Sequence, residues 1–376
     1  MNRFCLIVRC KQTKNSTILK IKQIQRGFVC SMLFIVAYLT IFLPNTLLTR
    51  PHPAIWRMLQ ALGICWLICV VFALFMNRDD LQYFLKKFVD ENLGKPLPEK
   101  NYAENCQIYT PDNPRGPFAN VIDSIDVFFT AHFIGWLVKM FICRDFLMCM
   151  IQSVLFEFLE LSLKHWLPNF AECWWDSVFF DILICNTGGI VVGWYLMNKF
   201  QMKEYRWSLQ SKYKKSFTQN LKEIFITPNL EKHEWKMFSS LRRFILVMWF
   251  GIFMNLVDLN FFFNKFVIRI EPSHYILSYR TFVIGFLSIP ASREYYEYIS
   301  NDNLKRLGGT VWLMQAIIFS EIFLFFKNYQ GQFREPFPLW VIIVWTLIIG
   351  LFLFVIIILG WRDIKRIFIQ NKIKKN

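Results

Sequence analysis

Residues 157–186 concentrate the reactive groups of this chain. Glu157, Glu160, Glu172, Asp176 and Asp181 all stand within them. These carboxylates lie inside or beside long apolar runs, where an ionised acid costs roughly 2.5–3.5 kcal/mol at a helix centre. Groups held at that cost must face one another, a cation or water. Lys164 and nearby arginines can form a structural ion-pair network, but one base cannot neutralise five acids. At about 100° per residue, Glu157 and Glu160 share one helical stripe. Pro168 interrupts that helix, so Leu167-Pro168-Asn169 reads as a turn, and a second helix begins near Glu172. On it, Glu172, Asp176 and Asn186 fall within about 80° of one another, whereas Asp181 lies about 140° from Asp176. The glycines Gly188 and Gly189 leave room for a bend. Two helices joined at a turn thus present four carboxylates and the amides of Asn169 and Asn186 to one cavity. An oxygen-only set suits a hard divalent cation, Ca²⁺, Mg²⁺ or Mn²⁺. Zinc is disfavoured because no thiolate or histidine cluster accompanies the acids. His132 lies in the preceding apolar segment, and histidine is the side chain most often used as a proton carrier. It reads either as a helix–helix hydrogen-bond donor or as a general base that deprotonates an alcohol beside a metal-bound phosphate.

These residues must be positioned by apolar elements. The chain has 376 residues, 55% hydrophobic and 19% charged, with 41 Phe and 14 Trp. Its mean hydropathy is +0.33. That composition excludes disordered, collagenous and disulfide-scaffold proteins. It predicts an all-α, polytopic transmembrane bundle, because a spanning segment without water must satisfy its own backbone. Nine segments approach spanning length: 28–44, 54–76, 125–142, 145–164, 173–198, 243–263, 275–290, 308–326 and 338–360. The organisation expected is a basic segment 1–27, a membrane catalytic domain 28–360 with its core site in 125–198, and a basic tail 361–376. No internal repeat supports a transporter built from inverted halves. Most of the ten cysteines lie in apolar runs and read as small buried hydrophobes.

The net charge of +16 sits between apolar runs rather than on one folded domain, which argues against nucleic acid and fits the positive-inside rule. Residues 203–243 hold ten basic and four acidic residues, and 361–376 hold six and one, so both are expected in the cytosol. Residues 77–124 hold six basic and eight acidic residues and are expected in the lumen, as is the 165–172 turn. This parity puts the N-terminus in the lumen, although residues 1–26 carry seven bases and no acid. The expectation is therefore that one crossing is missing or that the first segment does not span. The sequon Asn15-Ser16-Thr17 would report the side of this end through its glycan. Two weaker patches are Thr49-Arg50-Pro51-His52-Pro53, a rigid polar turn, and Arg293-Glu294-Tyr295-Tyr296, which opens the loop ending at Lys305-Arg306. Arg50 can bind a phosphate, although an interfacial arginine is the commoner use.

The eleven residues Trp166-Leu167-Pro168-Asn169-Phe170-Ala171-Glu172-Cys173-Trp174-Trp175-Asp176 resemble the base-exchange phosphatidylserine synthases of the endoplasmic reticulum. So do Asp181-Ile182-Leu183-Ile184-Cys185-Asn186, His132-Phe133-x-Gly135-Trp136, Glu157-x-x-Glu160 and Arg50 to Met58. Tyr102-Ala103-x-Asn105-Cys106 and Lys305-Arg306-x-Gly308 match as well, so the resemblance runs from about residue 44 to 326. It implies a multi-pass, Ca²⁺-dependent transferase of about ten spans that exchanges the ethanolamine or choline of a phospholipid for L-serine. The family's first segment has no counterpart here, which would explain the parity. The residues matching functional positions are His132, Glu157, Glu160, Asn169, Glu172, Asp176, Asp181 and Asn186. The roles expected are Glu160, Glu172 and Asp176 as cation ligands with Glu157 beside them, His132 as proton carrier, Asn169 and Asn186 on serine, and Asp181 on its ammonium. Arg50 and Arg293 are candidates for a second lipid-headgroup site, and a homodimer is compatible with this reading. The enzyme rival, a CDP-alcohol phosphatidyltransferase, is similar to D-G-x-x-A-R-x8-G-x3-D-x3-D, a run this sequence lacks. The non-enzyme rival is a cation transporter or channel.

Overall fold

The computed structural model describes residues 2–48, 52–95, 97, 103, 105–125, 127–167, 170–199, 233–271, 274–301, 303–329, 331 and 333–375. Arg50, Asn169 and most of 203–243 lie outside the described residues. Among those described, every regular element is helical. In chain order these are α1 (Asn2–Phe42), α2 (Pro53–Leu74), α3 (Arg78–Phe88), α4 (Ala119–Asp123), α5 (Val127–Cys143) and α6 (Phe146–Leu163). A π-helix (Asp176–Asn186) then runs directly into α7 (Thr187–Lys199). Past a short 3₁₀ turn come α8 (Leu241–Ile268), α9 (Tyr275–Ser300), α10 (Gly309–Asn328) and α11 (Leu339–Lys375).

The chain is a polytopic helical membrane protein. Among the described residues, seven stretches are long and apolar enough to cross a bilayer: Ile21–Phe42, Pro53–Leu74, Phe146–Leu163, Asp176–Lys199, Leu241–Ile268, Gly309–Asn328 and Leu339–Gln370. Nine were expected. The segment at 125–142 forms α5, which is apolar but shorter. The segment at 275–290 lies in α9, whose apolar run is interrupted by Arg280 and followed by Arg293 and Glu294. Local signals set the boundaries. Pro44 follows the end of α1, as expected where the residue before a proline leaves the helical region. Pro53 opens α2, with His52 Nδ1 accepting from the Ala54 N–H at 3.1 Å. Asp145 caps α6, its Oδ1 accepting from the Met148 N–H at 2.8 Å.

The chain folds as two compact units. The first comprises residues 1–97, 264–290 and 309–328. Its polar interior is an ion pair, Arg280 to Glu321 at 2.8 Å, joined by Trp66 Nε1 donating to Glu321 Oε1 at 2.8 Å. Gln60 Nε2 donates to Thr310 Oγ1 at 2.8 Å in the same unit. Between apolar helices such bonds fix which faces meet. The second unit comprises residues 98–263, 291–308 and 329–376, and carries α5, α6, the π-helix and α7. There α7 lies against α5 with backbones touching. A Cβ on Gly189 would meet the Phe133 carbonyl oxygen and the Leu137 nitrogen, and one on Gly193 would meet Met140. Small residues at such crossings let membrane helices approach closely.

Candidate active site

All the described acids of the 157–186 stretch lie in this second unit, and their positions follow from three local structures. Glu157 and Glu160 project one turn apart from α6, 6% and 5% exposed. Asp176, Asp181 and Asn186 lie on the π-helix, and all three are buried. The α-helical wheel puts Asp181 on a different flank, and the structure corrects this. Hydrogen bonding from i to i+5 brings residues five apart toward one side, so Asp176, Asp181 and Asn186 share the buried face. Thr187 ends the π register: its N–H donates to the Ile182 carbonyl, and its Oγ1 donates to the same oxygen at 2.7 Å. Glu172 lies between the two helices on irregular chain.

Three acids converge. Carboxylate oxygens of Glu157, Glu172 and Asp181 all lie within 4.8 Å of one another. His132 Nδ1 on α5 is 3.7 Å from Glu157 Oε1 and 3.7 Å from Asp181 Oδ1. Asn186 Nδ2 donates to Glu157 Oε1 at 2.8 Å, while its Oδ1 is buried without a hydrogen-bond partner. Glu160 Oε2 is also buried without one, and its charge is felt together with those of Glu157, Glu172 and Asp181. Ser177 Oγ donates to Glu172 Oε2 at 3.2 Å. Burial, and then the Asp181 carboxylate, push the Glu172 carboxyl well above the usual carboxylate range. Asp176 is engaged elsewhere, its Oδ2 accepting from Ser124 Oγ at 2.8 Å. The sequence reading grouped Glu160, Glu172 and Asp176, whereas the tight trio pairs Glu172 with Glu157 and Asp181. Arg293 lies on α9, 3.9 Å from Glu297.

Three features escaped the sequence reading. Lys139, two turns along α5 from His132, lies 2.7 Å from Asp258 Oδ2 on α8 and over the Trp136 ring at 4.0 Å. Its positive charge reaches both Glu157 and Glu160. Ser124 was not singled out at all. Cys106 and Cys173 form a disulfide, a pairing that the sequence reading did not make. The available signal was that Cys106 lies in a polar, acid-rich loop rather than an apolar run.

A carboxylate trio with Glu157 and Asp181 buried and Glu172 half-buried, two further acceptors lacking partners and a histidine at its edge fits a hard cation beside a proton carrier. Such a centre, carried by apolar helices and the irregular segment between two of them, defines a polytopic helical membrane protein with a cluster of acids in its apolar part. The family model for phosphatidyl serine synthase matches residues 51–329. A rice protein named CDP-diacylglycerol–serine O-phosphatidyltransferase 2 is 37% identical over 347 residues, covering 90% of this chain and 80% of that protein. An Arabidopsis thaliana protein, CDP-diacylglycerol–serine O-phosphatidyltransferase 1, is 36% identical over 363 residues, covering 94% and 83%. Human phosphatidylserine synthase 2 is 37% identical over 331 residues, covering 86% and 67%. The chain belongs to the phosphatidylserine synthase family, and it is a transferase of phosphatidylserine synthesis.

Proposed function

We propose that this protein makes phosphatidylserine by Ca²⁺-dependent base exchange, replacing the ethanolamine or choline of a phospholipid with L-serine in the endoplasmic reticulum membrane. The observation that carries the reading is the trio Glu157, Glu172 and Asp181 with His132 Nδ1 3.7 Å from two of its members. These three carboxylates would hold the cation, with Glu160 beside them. An all-carboxylate donor set in a buried site favours Ca²⁺ over Mg²⁺, which demands stricter octahedral geometry, and Mn²⁺ is a weaker candidate. When bound, Ca²⁺ offsets the negative charge of the phosphodiester. His132 takes the proton from the serine hydroxyl as the new oxygen–phosphorus bond forms. It returns that proton to the oxygen of the departing headgroup as the old bond breaks. Asn186, whose Oδ1 has no partner, accepts from the serine ammonium, and Asn169 is the candidate second amide.

The rice and Arabidopsis relatives are named for a CDP-diacylglycerol donor. Base exchange is favoured here because the chain lacks the D-G-x-x-A-R run of CDP-alcohol phosphatidyltransferases and its acids follow E-x-x-E and E-x3-D-x4-D spacing instead. The Cys106–Cys173 disulfide joins the two stretches whose charges assign them to the lumen, an oxidising compartment. That agreement supports a site reached from the lumenal side.

The test is serine incorporation. Membranes lacking serine exchange but carrying this chain receive labelled serine with Ca²⁺, with chelator, or with CDP-diacylglycerol. Label in phosphatidylserine that requires Ca²⁺ and ignores the nucleotide is the expected outcome, and the released headgroup names the donor lipid. Incorporation that requires CDP-diacylglycerol overturns base exchange. Ion flux without incorporation favours the transporter.

A further inference from the structure

The acids around His132 are held unequally. Glu157 and Glu160 ride on α6 and Asp181 on the π-helix, but residues 171–173 have no regular secondary structure. Glu172 therefore has no helix to hold its backbone. Functional groups on irregular chain reach catalytic tolerance only when neighbours lock them, and a misplacement of about 1 Å can cost about a hundredfold in rate.

The structure supplies a lock from outside the 157–186 stretch. Cys173, next to Glu172 and 2% exposed, is bonded to Cys106, 67 residues earlier. Two further ties come from the same region: Trp175 Nε1 donates to the Cys106 carbonyl at 3.1 Å, and Ser124 Oγ donates to Asp176 at 2.8 Å. All three land within four residues of Glu172. The strap that makes them, residues 105–124, is braced internally. The Thr110 N–H donates to the Pro117 carbonyl at 2.8 Å, Asn120 Nδ2 to the Gln107 carbonyl at 2.8 Å, and Arg115 pairs with Asp123 at 2.6 Å.

We propose that Cys106 and Cys173 are positioning residues for Glu172: their disulfide holds the irregular 171–173 segment so that the Glu172 carboxylate meets Glu157 and Asp181. Reducing it weakens the cation site and leaves the helices folded. The reduction takes two electrons and two protons from a dithiol such as dithiothreitol, which leaves as its cyclic disulfide, and yields two cysteine thiols. The proposal rests on reading Glu172 as a cation ligand.

The test uses the full chain in detergent micelles: wild type, Cys106→Ser, Cys173→Ser and the double variant. Thiol alkylation before and after reduction reports the disulfide. Thermal unfolding in chelator and across a Ca²⁺ series reports the cation site without any turnover. In wild type, Cys106 and Cys173 are expected to alkylate only after reduction, and Ca²⁺ raises Tm. In each variant, and in reduced wild type, the same Ca²⁺-dependent rise in Tm is expected to need about tenfold more Ca²⁺, the usual size of the loss when a group supporting a ligand is removed. The double variant should match the singles, since either one breaks the same bond. Reduced wild type carries the comparison if a serine variant does not fold. A lower Tm in chelator with unchanged half-saturating Ca²⁺ marks a merely structural bond and overturns the proposal alone. Alkylation of either cysteine in unreduced wild type does so too. Absence of any Ca²⁺ effect in wild type overturns the cation reading and this proposal with it.

Discussion

Asp176 and Asp181 carry the same carboxylate five residues apart on one face, yet their partners differ. Asp176 accepts from Ser124, while Asp181 faces Glu157, Glu172 and His132. Neutralising a member of the trio removes a charged oxygen from the cation's surroundings. Glu157→Gln, Glu172→Gln and Asp181→Asn are each expected to raise half-saturating Ca²⁺ by at least about tenfold. Asp176→Asn keeps an oxygen that accepts from Ser124, and should shift that value by less than about threefold, the size of one neutral hydrogen bond. Ca²⁺-dependent thermal shifts on the four variants check both statements, and an equal loss in Asp176→Asn would place Asp176 among the ligands. His132 behaves differently because its role is proton transfer. His132→Ala is expected to lower serine incorporation by about 10²–10⁴-fold while leaving the Ca²⁺ shift intact. Lost Ca²⁺ stabilisation in that variant would make His132 a structural residue.

The element that brings these side chains to one place is the π-helix continued by α7 and seated on α5. The seat is made by glycine. A Cβ at Gly189 would press on the backbone of Phe133 and Leu137, which cannot swing aside as a side chain can. Gly189→Ala should therefore cost about 1–3 kcal/mol of stability. It should also move Asp181 and Asn186 away from His132, lowering serine incorporation at least about tenfold. Gly135→Ala, on the same α5 but with nothing within 4 Å of the added carbon, is the control and should be close to neutral in Tm and rate. The sequence made part of this arrangement legible. Five acids in apolar runs announce themselves because each is costly there; the turn read at Pro168 lies outside the described residues. The π register was not legible, because α and π helices draw on the same apolar composition and differ only in which carbonyl each N–H finds. That difference moved Asp181 from a separate flank into the trio. The disulfide and the Lys139–Asp258 pair were hidden for another reason: each joins residues distant in sequence, and each partner alone looks like an ordinary cysteine or a tolerated charge. The apolar run at 275–290 folds into a helix, as its composition required. Its mean hydropathy is lowered by Arg280, whose charge pairs with Glu321.

At the scale of the whole molecule, one buried histidine couples global stability to acid. His233 is fully buried in the second unit and stacks on Tyr296 at 3.9 Å, with an interplanar angle of 10°. Its N–H donates to the Arg144 carbonyl at 3.4 Å, and the neighbouring Trp235 Nε1 donates to the Cys143 carbonyl at 3.0 Å. These bonds pin residues 233–235 to the α5–α6 corner, where Arg144 takes a positive φ of 56°. Burial, then the charges of Arg144 and Arg293, push the His233 imidazole down to about 2. Glu297, which pairs with Arg293 on α9, tempers that second charge. The unfolded chain protonates this ring near pH 6.5, whereas the folded chain excludes the proton. The folded pKa is thus the lower one. The contribution of a neutral His233 is complete above about pH 6.5 and is lost as pH falls below it, by about 1.4 kcal/mol per pH unit. The His233 contribution therefore lowers wild-type Tm between pH 7.5 and 5.5, whereas the raised Glu172 carboxyl, which takes up its proton more readily in the folded chain, acts in the opposite sense. His233→Phe, which preserves the ring stack on Tyr296 and cannot be protonated, isolates the effect. Its Tm should fall less over the same interval, by a difference equivalent to about 1.4 kcal/mol at pH 5.5. Parallel pH profiles for the two proteins would mean that His233 does not titrate on unfolding in this range, and that acid acts on this fold through its carboxylates alone.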